Sequence, residues 1–148
     1  MLPGTVAGRP YSLGGWDMCL DRPGSVTITR VEPIKPYNDI VVQAFSSRPR
    51  TGPMLGNAEK PLTELGFPAR SPAVTVVCEE NALHTELALQ YAKTSDATAG
   101  ADGVRITYTS AGRQRTVDLN VRVLLCAPGD TERCREAYEE PDTTGDDD

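Results

Sequence analysis

The stretch Arg115-Thr116-Val117-Asp118-Leu119-Asn120-Val121-Arg122-Val123-Leu124-Leu125-Cys126 decides the fold class. Val117, Leu119, Val121, Val123 and Leu125 occupy every second position, with Thr116, Asp118, Asn120 and Arg122 between them. A period of two sends alternate side chains to opposite faces of a sheet. The stretch is therefore expected to be one long strand with an apolar face in the core and a polar face in water. Leu124 and Cys126 break the alternation, so both faces should be covered at its end. A strand of this length is the usual spine of a β-sandwich.

Upstream, Val104, Ile106 and Tyr108 alternate with Arg105, Thr107 and Thr109, and Ser110-Ala111-Gly112-Arg113 is a tight connection. This predicts a hairpin with the last strand. Residues 85–91 also alternate, Leu87, Leu89 and Tyr91 against Glu86, Ala88 and Gln90. Ala, Leu, Glu and Gln favour a helix over 81–93, but the strict period of two predicts a strand. Residues 94–103 are small and polar and read as a surface loop. Residues 74–78 form a short strand. Residues 40–45 are apolar on both faces and are expected to be a central strand. Residues 25–32 form another, with a bulge near Arg30 where Val31 breaks parity, and Pro33 and Pro36 are expected to stop its pairing.

Residues 46–73 hold five of the twelve prolines, Pro49, Pro53, Pro61, Pro68 and Pro72. Within them, Pro61-Leu62-Thr63-Glu64-Leu65-Gly66 places proline at a first helical position and glycine past the end, which predicts one helical turn. Two readings compete. In one the segment is structural cover, pinned to the sandwich by Phe67. In the other it is a contact loop, in which Arg48, Arg50, Met54, Leu55 and Phe67 meet a partner. Such a mixture of apolar anchors and arginine is typical of interface cores.

The glycines and prolines of residues 1–15 predict a flexible lead-in, or at best a short edge strand. The sandwich domain is expected over 16–138, with six to seven strands. Trp16, the only tryptophan, reads as a plug near a cysteine rather than a stacking platform. Residues 131–138 predict one helical turn, with Thr131 as its cap. Residues 139–148 read as a disordered acidic tail.

The net charge of −6 is concentrated at that end: from residue 132 onward there are eight acidic and two basic residues. The rest of the chain balances thirteen of each sign. A neutral body argues against nucleic acid or an anionic membrane as partner. No run approaches the ~18 apolar residues of a membrane span. No basic, apolar, small-residue leader opens the chain. An exported protein would thus carry Met1 through trimming, and a native Met1 would leave it cytosolic.

The four cysteines, Cys19, Cys78, Cys126 and Cys134, suggest two disulfides and an oxidising compartment. The alternative is four reduced thiols in a cytosolic protein. Pairing Cys126 with Cys134 closes a short loop and leaves Cys19 for Cys78; Cys19 with Cys126 is the rival. Loop-closure entropy gives ~2.6 kcal/mol for the short bridge and ~4.3 kcal/mol for the long one.

Together the strands predict an all-β, immunoglobulin-like sandwich. The segment Met18-Cys19-Leu20-Asp21-Arg22-Pro23-Gly24, the 74–78 strand and Leu124-Leu125-Cys126 resemble landmarks of small exported or lipid-anchored actinobacterial β-sandwich proteins. The resemblance runs from Trp16 to Cys126 and implies no activity.

No catalytic, cofactor or metal site is expected. His84 is the only histidine, and it reads as a loop residue beside a disulfide-bonded Cys78. Neither a nucleophile elbow nor a dinucleotide fingerprint is present, and the acidic tail lacks the spacing of a calcium loop. Two functions remain: a non-catalytic extracellular module binding a protein or cell-envelope partner, or an accessory or chaperone subunit of a membrane or envelope assembly.

Overall fold

The strand formed by Thr85–Lys93 is buried along almost its whole length, which sets the architecture. In the computed structural model, which describes residues 1–70, 72–80 and 83–139, ten strands form: β1 (Tyr11–Met18), β2 (Val26–Ile34), β3 (Ile40–Pro49), β4 (Asn57–Ala58), β5 (Ala73–Val74), β6 (Thr85–Lys93), β7 (Ala99–Ala101), β8 (Gly103–Ser110), β9 (Arg113–Leu119) and β10 (Val123–Leu125). A 3₁₀ turn covers Leu62–Leu65, and the helix α1 covers Thr131–Glu139. The excess over seven strands comes from β4, β7 and β10, each two or three residues long, while the strand expected over 74–78 is reduced to β5.

One sheet has the order β3-β6-β1-β4 and another β5-β2-β8-β9, while β10 and β7 make a two-stranded third. All strand pairs are antiparallel. The alternation of β6 does what its period requires. Leu87, Leu89 and Tyr91 enter the main core with Tyr11 of β1, Ile40 of β3, Ile28 and Val31 of β2, and Val104 and Ile106 of β8. Ala88, on the opposite face, enters a second small cluster with Leu62 and Phe67. The molecule is thus mostly β, its antiparallel sheets packed against each other around one main core. Trp16 is partly buried against that core.

The hairpin β8–β9 forms as its parity predicts, turning through Ala111 (φ 49°) and Gly112 (φ 72°). Positive φ at both central residues gives the turn the twist that antiparallel strands need. The irregularity expected near Arg30 is present, as a register shift between Ile28 and Arg30.

The single long strand is a correction. The chain leaves its ladder after Leu119 and resumes as β10 in a different sheet. Val117 and Val121 are 51% and 44% exposed, whereas Val123, Leu124 and Leu125 are buried. Leu124 and Cys126 do have both faces covered, packing with Cys134 and Met1 away from the main core.

Residues 40–45 are not central. β3 pairs only with β6 and lies at a sheet edge; its second apolar face exists because Ala44 packs in the Leu62–Phe67 cluster. Pro33 does not stop β2, which continues opposite Val104. β5 pairs only with Val26 and Thr27, so near Pro33 one side of β2 has no strand that needs an N–H. Residues 94–103 are not all loop, since Ala99 and Ala101 are buried in β7. Gly100 explains how: a Cβ there would sit 2.6 Å from the Leu124 side chain and from the Val123 carbonyl oxygen. Only glycine lets β10 approach this closely.

The lead-in is a further correction. β1 begins at Tyr11. Leu2 donates its N–H to Leu124 O and accepts from Cys126 N–H, both at 2.8 Å. Thr5, fully buried, donates through its hydroxyl to Cys126 O, and its carbonyl accepts from the buried Lys93 Nζ at 2.8 Å. Residues 1–15 therefore belong to the sandwich. α1 runs longer than one turn, and Thr131 is its first residue rather than its cap. The tail expected over 139–148 falls, beyond Glu139, outside the described residues.

Two outcomes are expected. Removing residues 1–5 should destabilise the protein by about 2–4 kcal/mol in urea unfolding, because Leu2 and two buried polar pairings are lost; an unchanged midpoint would show that this segment contributes nothing. Tyr91 tests the core by pH. Burial raises its phenol above the ordinary value. The folded state therefore keeps a proton that the unfolded chain releases near pH 10, and the associated stability is lost as pH rises beyond that. Between about pH 9 and about pH 11, Tyr91→Phe should lose less stability than the parent. Lys93, lowered by burial, acts in the opposite sense but equally in both proteins, so the difference isolates Tyr91.

Candidate partner-contact surface

Glu86 lies on β6 with its side chain 1% exposed. A carboxylate taken out of water needs charge pairing and hydrogen bonds to stay ionised. Antiparallel pairing puts Arg48 of β3 directly opposite. Arg48 Nε donates to Glu86 Oε2 at 3.0 Å, and the backbone N–H of Leu55 donates to Glu86 Oε1. The same guanidinium donates through Nη1 to Leu65 O at 2.9 Å and lies 4.3 Å above the Phe67 ring. One charged pair thereby holds two points of the proline-rich segment and an aromatic ring.

The rest of this sheet face repeats the pattern. Ser12 of β1 donates to Lys60 O, and Ser46 of β3 donates to Pro68 O. Gln90 of β6 accepts from Leu62 N–H and donates to Gln43. The outward positions of three strands are spent on backbone groups of residues 55–68. Only Asn57 and Ala58 of this segment join a ladder, so its other backbone groups need such partners. Leu62 and Phe67 seal it against Ala88. The 3₁₀ turn expected between Pro61 and Gly66 is present.

This places Phe67 and Arg48 in the structural cover. Phe67 is 2% exposed, so its place among contact residues is corrected: it anchors the cover. Arg48 is held by Glu86 and Leu65 in the same cover. Met54 and Leu55 are half-buried. Arg50 stands apart, donating to Asp17 Oδ2 at 2.6 Å in an exposed pair. His84 Nδ1 lies 3.7 Å from the same oxygen. Its Nε2 is buried, with no hydrogen-bond partner among the described residues.

The cysteines pair as Cys19–Cys78 and Cys126–Cys134, with Cα separations of 4.9 and 5.9 Å. Cys78 is thus committed to Cys19 and forms no pair with His84. The long bridge ties the end of β1 to the chain after β5, where Leu20 and Val77 also pair. The short bridge holds α1 over the end of β10, and Arg122 Nη1 reaches Ala137 O at 3.1 Å on the same helix.

A feature that pattern reading missed is the outer edge of β9. Reading residues 115–126 as one core strand hid it. Asn120, a residue depleted in strands, was the available signal that the ladder ends there.

No family model matches the chain, and no curated protein or solved structure matches it.

Arg48 and Arg50, two residues apart, should behave oppositely. Arg48→Ala leaves Glu86 buried and unpaired and is expected to cost about 3–5 kcal/mol in chemical unfolding. Arg50→Ala breaks a solvent-exposed pair and should cost no more than about 1 kcal/mol. Equal costs would show that Arg48 does not hold the cover.

Proposed function

We propose that this chain is a non-catalytic β-sandwich module, immunoglobulin-like in its two-sheet layering, that binds a protein partner outside the cytosol or in the cell envelope. The observation that carries the reading is the pair of disulfides in a small, mostly β protein. Such bonds persist in oxidising compartments and are rare where thiols are kept reduced. The resemblance to exported or lipid-anchored actinobacterial sandwiches points to the same compartment. The welded cover supports binding through other surfaces: with Phe67 and Arg48 turned inward, recognition falls to exposed loops and strand edges.

Fractionation of the source cells, with thiol titration of the denatured, unreduced protein, tests this. The protein is expected in the secreted or envelope fraction with no titratable thiol, and reduction should lower its stability by about 4 kcal/mol through the long loop alone. A cytosolic protein with four titratable thiols would refute it.

A further inference from the structure

An unpaired strand edge offers a row of backbone donors and acceptors, and folded proteins usually blunt it. Three of the four edges of the larger sheets are blunted here. β4 and β5 are two residues long. β3 carries a register shift between Val42 and Ala44 and ends at Pro49. β9 has none of these devices. It runs seven residues without proline, in unbroken register with β8, and it is the last strand of its sheet. Six of its residues are exposed and Leu119 is half-buried.

Its side chains narrow what fits there. Arg113, Arg115, Val117 and Leu119 share the face of their β8 partners Ser110, Tyr108, Ile106 and Val104. Asp118, on the opposite face, is bound in two places by Arg105 at 2.8 Å. Arg113 and Arg115 have no carboxylate partner among the described residues. Side chains directly opposite in an antiparallel pair lie on the same face and interact. A second copy docked about Thr116 would set Arg115 against Val117 and Arg113 against Leu119, leaving both charges unmatched. The arginines thus disfavour self-pairing and leave the edge open to a strand of complementary charge.

We propose that the β9 edge binds an extended segment of a partner protein, added as a further strand, with acidic residues opposite Arg113 and Arg115 and apolar residues opposite Val117 and Leu119. This deepens the binding-module reading and rests on it. Backbone pairing supplies the attachment, and alternate side chains supply selection.

The test uses the full chain and a synthetic peptide, Val-Lys-Val-Thr-Glu-Thr-Glu, whose order is antiparallel to residues 119–113. A control peptide carries Lys in place of both Glu. Titration calorimetry should detect the acidic peptide and find the control weaker by about tenfold. In the doubly substituted protein Arg113→Glu/Arg115→Glu the preference should reverse, and that variant should fold normally because both side chains are exposed. Amide resonances of residues 113–119 should shift on binding. Four outcomes would overturn the proposal, three of them in the intact chain: equal binding of both peptides, an unreversed preference in the variant, or concentration-dependent dimerisation of the free protein through β9. Binding seen only after residues 140–148 are removed would also overturn it, by making the chain's own tail the occupant. The thiol and fractionation result is independent of these, so failure at β9 would leave the compartment reading standing.

Discussion

The buried carboxylate of Glu86 is the constraint on which the outer half of the molecule depends. A sheet with one face on the core normally turns its other face to water. Here β6 turns Glu86, Ala88 and Gln90 toward residues 55–68 instead, and Glu86 is deeply buried. Out of water, its two oxygens are met by Arg48 and by the Leu55 N–H. The stacking of Arg48 on Phe67 and its bond to Leu65 O follow from the same placement. Removing the pair would free a segment of which only Asn57 and Ala58 join a ladder, and Pro61 and Pro68 sit in it without a ladder bond to break.

The other end of the sandwich is closed by covalent and backbone links between chain ends. Cys126 bonds to Cys134 and exchanges backbone bonds with the N-terminal segment. Leu2, Leu125, Ala99 and Ala101 fill the same core. Lys93 adds a polar tie, donating to Thr5 O and Asp96 O across the gap. Residues from four distant parts of the sequence therefore meet at β10. Closing such long loops is entropically costly, and the nine-residue disulfide loop and the hydroxyl of Thr5 offset part of that cost locally.

These two closures explain which features the sequence made legible. Local patterns were reliable: the period of β6, the β8–β9 turn, the Pro61–Gly66 turn, the irregularity near Arg30 and the economical pairing of four cysteines. What they could not report was which sheet a strand joins. Val121 keeps the alternation of residues 115–126 and yet sits exposed in a crossover, because parity describes one chain and not its neighbours. Residues 40–45 looked central because the cover supplies a second apolar environment at a sheet edge. Residues 1–15 and 94–103 looked like loops because glycine, alanine and proline carry little pattern, and their burial comes from pairing with residues far away in sequence. Of the five residues expected at a partner contact, Arg48 and Phe67 are engaged inside the molecule, because a mixture of arginine and apolar anchors reads the same in sequence whether it faces a partner or a cover.

The crossover at residues 120–122 also shapes the surface that remains. By leaving the ladder there, the chain carries its apolar residues into β10 and leaves β9 with only one neighbour. The opposite face of the molecule spends its polar side chains on the cover, and its edge at β3 is bent and ended by proline. Among the described residues, β9 is thus a long edge strand whose outer side pairs with no other strand. Its charges resist the simplest misuse, pairing with another copy, because Asp118 lies on the face away from Arg113 and Arg115 and is already held by Arg105. A strand that brings its own carboxylates meets no such obstacle, so one arrangement of seven residues both guards the edge and selects what joins it.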